Sequence, residues 1–248
     1  MPTEDAGVSQ FRTLSIIIPV YNERRTIRQL LQQVARQPVA LAKEIIIVDD
    51  CSTDGTREFL QQSDLQNVLG SNGADSIKLA LHTKNQGKGA GVRTGLAQST
   101  GEIVLIQDAD LEYDPGDYPL LLAPILEGHA DAVFGNRFHS GPHRVQRYYR
   151  FVLNRVFSII CNLLTGLAIH DVTACYKVFR RDLLERMHLR SDRFSVETEM
   201  TVKVAKLGAR IYEVPIVYRG RTYAEGKKIS WQDGWRAFYD LIRYRFKD

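Results

Sequence analysis

Residues 14–18 form a short run, apolar apart from Ser15, that stops at Pro19. Over residues 23–36, Ile27, Leu30, Leu31 and Val34 recur at helical spacing. A second run, 44–48, β-branched after Glu44, ends in Asp49-Asp50, and Asp54-Gly55-Thr56 opens a further helical stretch. Residues 77–82 read as a strand and 87–98 as a helix; a fourth apolar run, 103–106, ends in Asp108-Ala109-Asp110. Residues 115–126 have a helical pattern, and 132–134 a short strand. Strands that are largely apolar, alternating with helices, predict an α/β fold: a mostly parallel sheet covered by helices on both faces. Ligands in such sheets bind at the carboxyl ends of the strands. Residues 19–23, Asp49-Asp50 and 108–110 are therefore expected along one edge.

After Arg137 the pattern changes. Residues 144–169 predict a long helix whose polar positions, among them Arg147, Arg150, Asn154, Ser158 and Asn162, advance by three or four. The rest of its surface is a broad apolar arc. A strand–helix step over 176–187, a helix over 195–208 and a strand over 211–218 follow. The C-terminal stretch 229–246 carries an apolar helical stripe (Trp231, Trp235, Phe238, Tyr239, Ile242, Phe246) flanked by arginines. Both basic amphipathic helices suit either an interfacial membrane contact or packing on the core or a second subunit.

Composition is that of an ordinary globular chain: 248 residues, 44% apolar and 25% charged. Three cysteines without CxxC spacing argue against a disulfide scaffold or zinc knuckle and fit a reducing compartment. The N-terminal stretch lacks a signal-peptide pattern, and no apolar stretch approaches the ~18 residues of a membrane span. A cytoplasmic location is expected. The net charge of +4 conceals an uneven spread. Residues 1–136 hold 11 Lys/Arg against 18 Asp/Glu, and residues 137–248 hold 22 against 11. An acidic half suits a cation and a basic half suits phosphates.

Asp108 and Asp110 are close enough to repel unless a cation or a proton intervenes. Mg²⁺ commonly takes one or two carboxylates and completes its shell with phosphate oxygens and water. A solvated acidic turn is an equal reading on spacing alone, and Glu112 and Asp114 tilt the balance toward metal. Asp49 and Asp50 could accept from ribose or base, or cap the next helix. The segment NQGKGAG (85–91) fails both the P-loop and the dinucleotide fingerprints and reads as a structural turn, with Asn85 and Lys88 as candidate ligand contacts. The histidines show no metal-binding spacing, and no GxSxG elbow is present.

Taken in order, SIIIPVYNE (15–23), EIIIVDDCSTDGT (44–56), NQGKGAGVRTG (85–95), GEIVLIQDADLEYDP (101–115), GNRF (135–138), DVTACYKVFRRD (171–182), FSVETE (194–199) and EVPIVYRGRTYAEGKKISWQDG (213–234) resemble glycosyltransferase family 2. The resemblance extends to its dolichyl-phosphate mannose synthase and polyprenyl-phosphate glycosyltransferase branch. It implies a single domain over 1–248 with a GT-A, Rossmann-like sheet. Residues 1–136 would bind nucleotide sugar and metal, and 137–248 would bind the acceptor. Pro19, Tyr21, Glu23, Asp49, Asp50, Lys88 and Asp108 would hold the donor nucleotide. Asp108, Asp110 and Glu112 would hold Mg²⁺ or Mn²⁺, with Glu112 standing where the family often has Gln. Arg137 would meet the acceptor phosphate, and with Asp110 carries the catalytic expectation. Arg147, Arg221 and Lys228 would complete the acceptor and diphosphate contacts.

The implied activity is inverting transfer of mannose or glucose from GDP-mannose or UDP-glucose to dolichyl or undecaprenyl phosphate. A lipid phosphate is already ionised near neutral pH, its second ionisation lying at about 6. It needs cations beside it more than a general base, which fits a chain with many arginines and no obvious catalytic histidine. The alternatives are transfer to a glycan hydroxyl and, from another class, a non-catalytic subunit that recruits a partner to a membrane. The expected setting is peripheral at the cytoplasmic membrane face, with a membrane-protein partner or a second copy as candidate company and no nucleic acid.

Overall fold

The structure is a computed structural model that describes residues 11–69, 76–138, 148–221 and 231–247, the last from its backbone alone over 231–233. Arg147 and Lys228 lie outside the described residues. The first half alternates as the pattern predicts: β1 (Thr13–Val20), α1 (Ile27–Arg36), β2 (Ala42–Asp49), α2 (Thr56–Gln62), α3 (Leu65–Leu69), β3 (Ser76–Leu81), α4 (Lys88–Gln98), β4 (Ile103–Ile106), α5 (Tyr118–Leu126) and β5 (Ala132–Asn136). The second half adds α6 (Tyr148–Thr165), β6 (Lys177–Arg180), α7 (Arg181–Arg186), α8 (Val196–Lys206), β7 (Ile211–Pro215) and α9 (Trp231–Phe246).

One sheet runs through both halves in the order β3-β2-β1-β4-β6-β5-β7. β6 is antiparallel to both of its neighbours, and the other pairings are parallel. The period-2 alternation of the strands divides the core into two layers. Leu14, Ile16 and Ile18 of β1 and Ile45 and Ile47 of β2 face α1 and α5, while Ile17, Ile46 and Val48 face the layer built by α4, α6, α8 and α9. The largely apolar centres of the strands follow from this two-sided burial.

Two predicted boundaries shift, for local reasons. The long helix ends at Thr165 rather than near 169, because Gly166 adopts φ +76 and returns its N–H to Asn162. A left-handed glycine is the common helix stop. The last strand ends at Pro215 rather than Tyr218; proline cannot donate to a ladder, and β7 sits at the sheet edge where that is tolerated. The one-turn helix α3 is too short to leave a period in the sequence.

α6 buries only a narrow seam. Ser158 and Cys161 are enclosed, whereas Tyr148, Leu153, Ile159 and Leu163 stand in the open, Leu163 at 80% exposure. α9 repeats this with Leu241 and Tyr244 buried and Trp235, Tyr239 and Phe246 outward. No helix among the described residues is long and apolar enough to cross a membrane.

Candidate active site

The sheet reverses its direction of winding at β1: β2 and β3 lie on one side of it and β4 on the other. Such a reversal opens a crevice at the carboxyl ends of the two central strands. Here that crevice receives residues 19–23 from β1 and 108–110 from β4. Three non-glycine residues with positive φ follow the ends of β1, β2 and β4: Asn22 (50°), Cys51 (63°) and Leu111 (62°). Strained backbone of this kind persists where surrounding structure holds it, often at a site.

Each acidic side chain of the crevice meets a cation or a hydrogen-bond donor. Lys88, at the start of α4, places Nζ 2.5 Å from Asp108 and 2.8 Å from Glu197 of α8. Burial opposes the charge of Lys88, yet Asp108 holds its ammonium well above the ordinary range. Lys177 approaches the other oxygen of Glu197 at 3.5 Å. Asp110 is raised to about 7 by burial and by the charges of Asp108 and Glu112, against the opposing pull of Arg221. Arg221 sets Nη2 3.0 Å from Asp110 and grips Glu23 through Nη1 at 3.1 Å and Nη2 at 3.0 Å.

Glu112, expected as a third metal ligand, is engaged by a donor at each oxygen. Its oxygens accept from the Tyr218 hydroxyl at 2.7 Å and the Arg221 amide at 2.6 Å, so it clamps the chain after β7. Arg221 itself lies against carboxylates of the crevice, brought there by this clamp.

The donor-side residues separate in the same way. Pro19, Tyr21, Glu23, Asp50, Lys88 and Asp108 border a cavity of about 970 Å³. Asp49 does not border it. Fully buried, Asp49 binds Arg57 Nε at 2.7 Å and accepts from the Ser52 amide, which makes it a brace for the strand end rather than an open nucleoside contact. Asp50 accepts from the amides of Gln86 and Gly87 at 2.8 and 2.7 Å and pairs with His82 at 2.7 Å. The glycine-rich segment is thus a structural turn, as its spacing suggested. Gly87 occupies φ +97 against the backbone of Asp192, where a Cβ would collide.

Arg137 follows β5 and borders the same cavity. Its Nε and Nη2 each lie 2.7 Å from Asp171, and Nη2 also reaches Thr173 at 2.7 Å. Its guanidinium faces the rings of Tyr218 and Phe138 at 5.0 and 5.5 Å. Beyond Arg137 the cavity turns apolar between α6 and α9, lined by Leu153, Val156, Phe157, Ile160 and Phe238. One space therefore joins a charged crevice to a greasy channel.

Sequence reasoning did not assign roles to Asp171, Thr173, Asn154, Glu197 or Lys177. Their motifs were visible, but each is an isolated polar residue whose partner lies far along the chain. No local spacing announces such pairs.

The comparisons with known proteins agree with this architecture. A model of the family described as Glycosyl transferase family 2 matches residues 15–187. Glycosyltransferase AglJ of Haloferax volcanii is 30% identical over 249 residues, covering 98% of this chain and 73% of that protein. The undecaprenyl-phosphate 4-deoxy-4-formamido-L-arabinose transferase of Salmonella choleraesuis is 27% identical over 237 residues, covering 93% and 67%. Among solved structures, glucosyl-3-phosphoglycerate synthase of Mycobacterium tuberculosis with Mn²⁺, UDP-glucose and phosphoglyceric acid aligns with a TM-score of 0.70 at 19% identity, over 94% of this chain and 80% of that one. At that identity the likeness speaks for the shared GT-A fold alone. With the family model matched across the crevice and both halves of the sheet, the chain belongs to glycosyl transferase family 2 and is a glycosyltransferase.

Proposed function

We propose that this enzyme transfers a hexose, mannose or glucose, from a GDP- or UDP-sugar to a polyprenyl phosphate, with inversion. The observation that carries the reading is the continuity of the cavity. Its carboxylate crevice suits a metal–diphosphate, Arg137 borders the same space, and the apolar channel between α6 and α9 suits a prenyl tail. The name of the Salmonella relative joins undecaprenyl phosphate to a sugar transferase, which supports this acceptor class.

Asp108 and Asp110 fit a divalent ion. Their donors are all oxygen, the preference of Mg²⁺ and Mn²⁺. Burial, with the charges of Asp108 and Glu112, holds the Asp110 carboxyl up at about 7 against Arg221, and a divalent ion would favour its ionised form. Among the described residues no three His, Cys, Asp or Glu side chains form a closed cage, so further ligands would come from the diphosphate and water. When bound, such an ion supplies charge neutralisation to the departing nucleoside diphosphate. Mn²⁺ accompanies UDP in the Mycobacterium tuberculosis enzyme.

The chain's own groups do the rest. The crevice end, with Pro19, Tyr21 and Asp50, holds the nucleoside. Arg137 draws the acceptor phosphate beside an anionic donor and fixes its oxygen toward the anomeric carbon. That oxygen forms the new C–O bond as the bond to the diphosphate breaks, and the diphosphate leaves with the electron pair. No side chain has to remove a proton. The reading fits the crevice, where Asp108, Asp110, Glu112, Glu23 and Asp50 are all engaged by donors. The outward apolar faces of α6 and α9, with Arg243 and Arg245, would rest on the cytoplasmic surface of a membrane.

The test is a panel of GDP- and UDP-sugars with Mg²⁺ or Mn²⁺, each with undecaprenyl phosphate, dolichyl phosphate or an oligosaccharide. Nucleoside diphosphate released only with a polyprenyl phosphate supports the reading. Release only with the oligosaccharide would replace it by transfer to a hydroxyl.

A further inference from the structure

Arg137 has five N–H donors, and the structure accounts for three of them. Nε–H goes to Asp171, and the two hydrogens of Nη2 go to Asp171 and Thr173. Nη1 has no partner among the described residues, and Arg137 borders the cavity. Asp171 is fully buried and receives four donors: the amide, Nε and Nη2 of Arg137, at 3.1, 2.7 and 2.7 Å, and Nδ2 of Asn154 at 3.2 Å. Four donors fill the acceptor capacity of a carboxylate. Asp171 has no lone pair left for a ligand and cannot serve as a base. It does not border the cavity at all.

The support continues outward. The Thr173 hydroxyl donates to Oδ1 of Asn154 while its oxygen accepts from Arg137, so Asn154, Thr173, Asp171 and Arg137 form a closed ring of hydrogen bonds. Asn154 belongs to α6, between Leu153 and the Val156–Phe157 pair that line the apolar channel. Glu213 of β7 holds the amide of Asp171 from the other side at 3.2 Å. The rack thus spans α6, the segment before β6, β5 and β7. A guanidinium gripped along one edge and faced by Tyr218 and Phe138 has few rotamers left, so little freedom remains to be lost when Nη1 meets an anion.

We infer that Asp171, with Thr173 and Asn154, is a positioning residue that holds Arg137 so that Nη1 is reserved for the acceptor phosphate. The inference rests on the proposed function, in which Arg137 meets that phosphate. It adds that the aim of Arg137 is set by Asp171, which does not border the cavity, together with Asn154 and Thr173, which do, and that Asn154 sits on the helix walling the lipid channel.

The experiment measures KM for farnesyl phosphate, as a short prenyl-phosphate probe, and KM for whichever sugar nucleotide supports transfer. The variants are Asp171→Asn, Arg137→Ala, both together, and Thr173→Val, alone and with Arg137→Ala. Asp171→Asn is expected to raise acceptor KM about tenfold and leave donor KM within about twofold, as for loss of a charge-assisted contact. In the Arg137→Ala background it should add less than about twofold, because a positioning residue has nothing left to position. Thr173→Val, which removes one acceptor from Nη2, should raise acceptor KM by about threefold in the parent chain and add nothing in the Arg137→Ala background; that pair judges the inference if Asp171→Asn does not fold, because Thr173 borders the cavity and a direct contact would persist without Arg137. Arg137→Ala with unchanged acceptor KM would overturn the functional role of Arg137 and the inference with it. An impaired Arg137→Ala beside an unimpaired Asp171→Asn, effects that multiply in either double variant, or donor and acceptor KM rising together would overturn the inference alone.

Discussion

The guanidinium of Arg221 rests 3.0 Å from the carboxylate of Asp110, one of the two carboxylates that would hold a divalent ion. Arg221 and a divalent ion would draw on the same carboxylate charge and repel one another across it. We expect Arg221→Ala to bind Mn²⁺ several-fold more tightly than the parent chain when no nucleotide is present, since a competing cation has gone. Transfer should at the same time slow, because the arginine is then missing from the diphosphate. Electron paramagnetic resonance of free Mn²⁺ reads the first effect and a nucleotide-release assay the second; unchanged Mn²⁺ affinity would refute the competition.

Asp108 and Asp110 differ in their neighbours, and their variants should differ too. Asp110→Asn relieves a carboxyl pushed up to about 7 by burial and by Asp108 and Glu112, so its fold should hold. Asp108→Asn breaks the pair with buried Lys88 and leaves an ammonium facing Glu197 alone. Transfer should fall at least about a hundredfold in both, but thermal stability should fall mainly in Asp108→Asn, by about 2–4 kcal/mol. Differential scanning fluorimetry beside the assay separates the two.

Glu44 offers a pH signature away from the site. Burial pushes its carboxyl up, but hydrogen bonds from Lys78, Ser15 and Thr100 outweigh this and hold it at about 2. A depressed folded value means the stabilisation is complete above the unfolded value of 4.5 and fades as pH falls toward about 2. Glu44→Gln should cost roughly 2–3 kcal/mol at pH 7 and progressively less below pH ~4.5. Urea melts at the two ends of that window check the slope; a cost independent of pH would contradict it.

Gly95 lets α4 lie directly on β1, for a Cβ there would collide with the side chain of fully buried Ile17. Gly95→Ala should destabilise by about 1–3 kcal/mol through overpacking. The same substitution should be nearly neutral in an Ile17→Ala background, where the space has been opened. Denaturant melts of the four chains give the coupling.

The outward faces of α6 and α9 carry Leu163 at 80% exposure and Tyr239 at 66%. Neither borders the cavity. Changing both to Ser should leave stability within about 0.5 kcal/mol, as at most surface sites. Co-sedimentation with phosphatidylglycerol-containing vesicles should drop several-fold if these helices rest on lipid. Equal vesicle binding would assign the faces to another partner.

Much of the arrangement is determined by the chain's own order. Apolar runs that stop at Pro19, Asp49 and Ile106 establish strands buried on both sides, and the alternation with helices dictates a parallel sheet whose strand ends share one edge. Asp108 and Asp110 belong to the crevice because they directly follow such a strand. Chemistry that depends on pairing was decided only by tertiary structure. Asp49 is a brace because Arg57 closes on it, and Glu112 is a clamp because Tyr218 and Arg221 reach it from more than a hundred residues away. The reversal of β6, which carries Asp171 and Thr173 to the carboxyl edge beside Arg137, has no sign in local periodicity, because a strand's apolar pattern is the same in either direction. Sequence distributes the charges and spaces the elements; which acid meets which base depends on how distant strands stack, and that is where the site acquires its geometry.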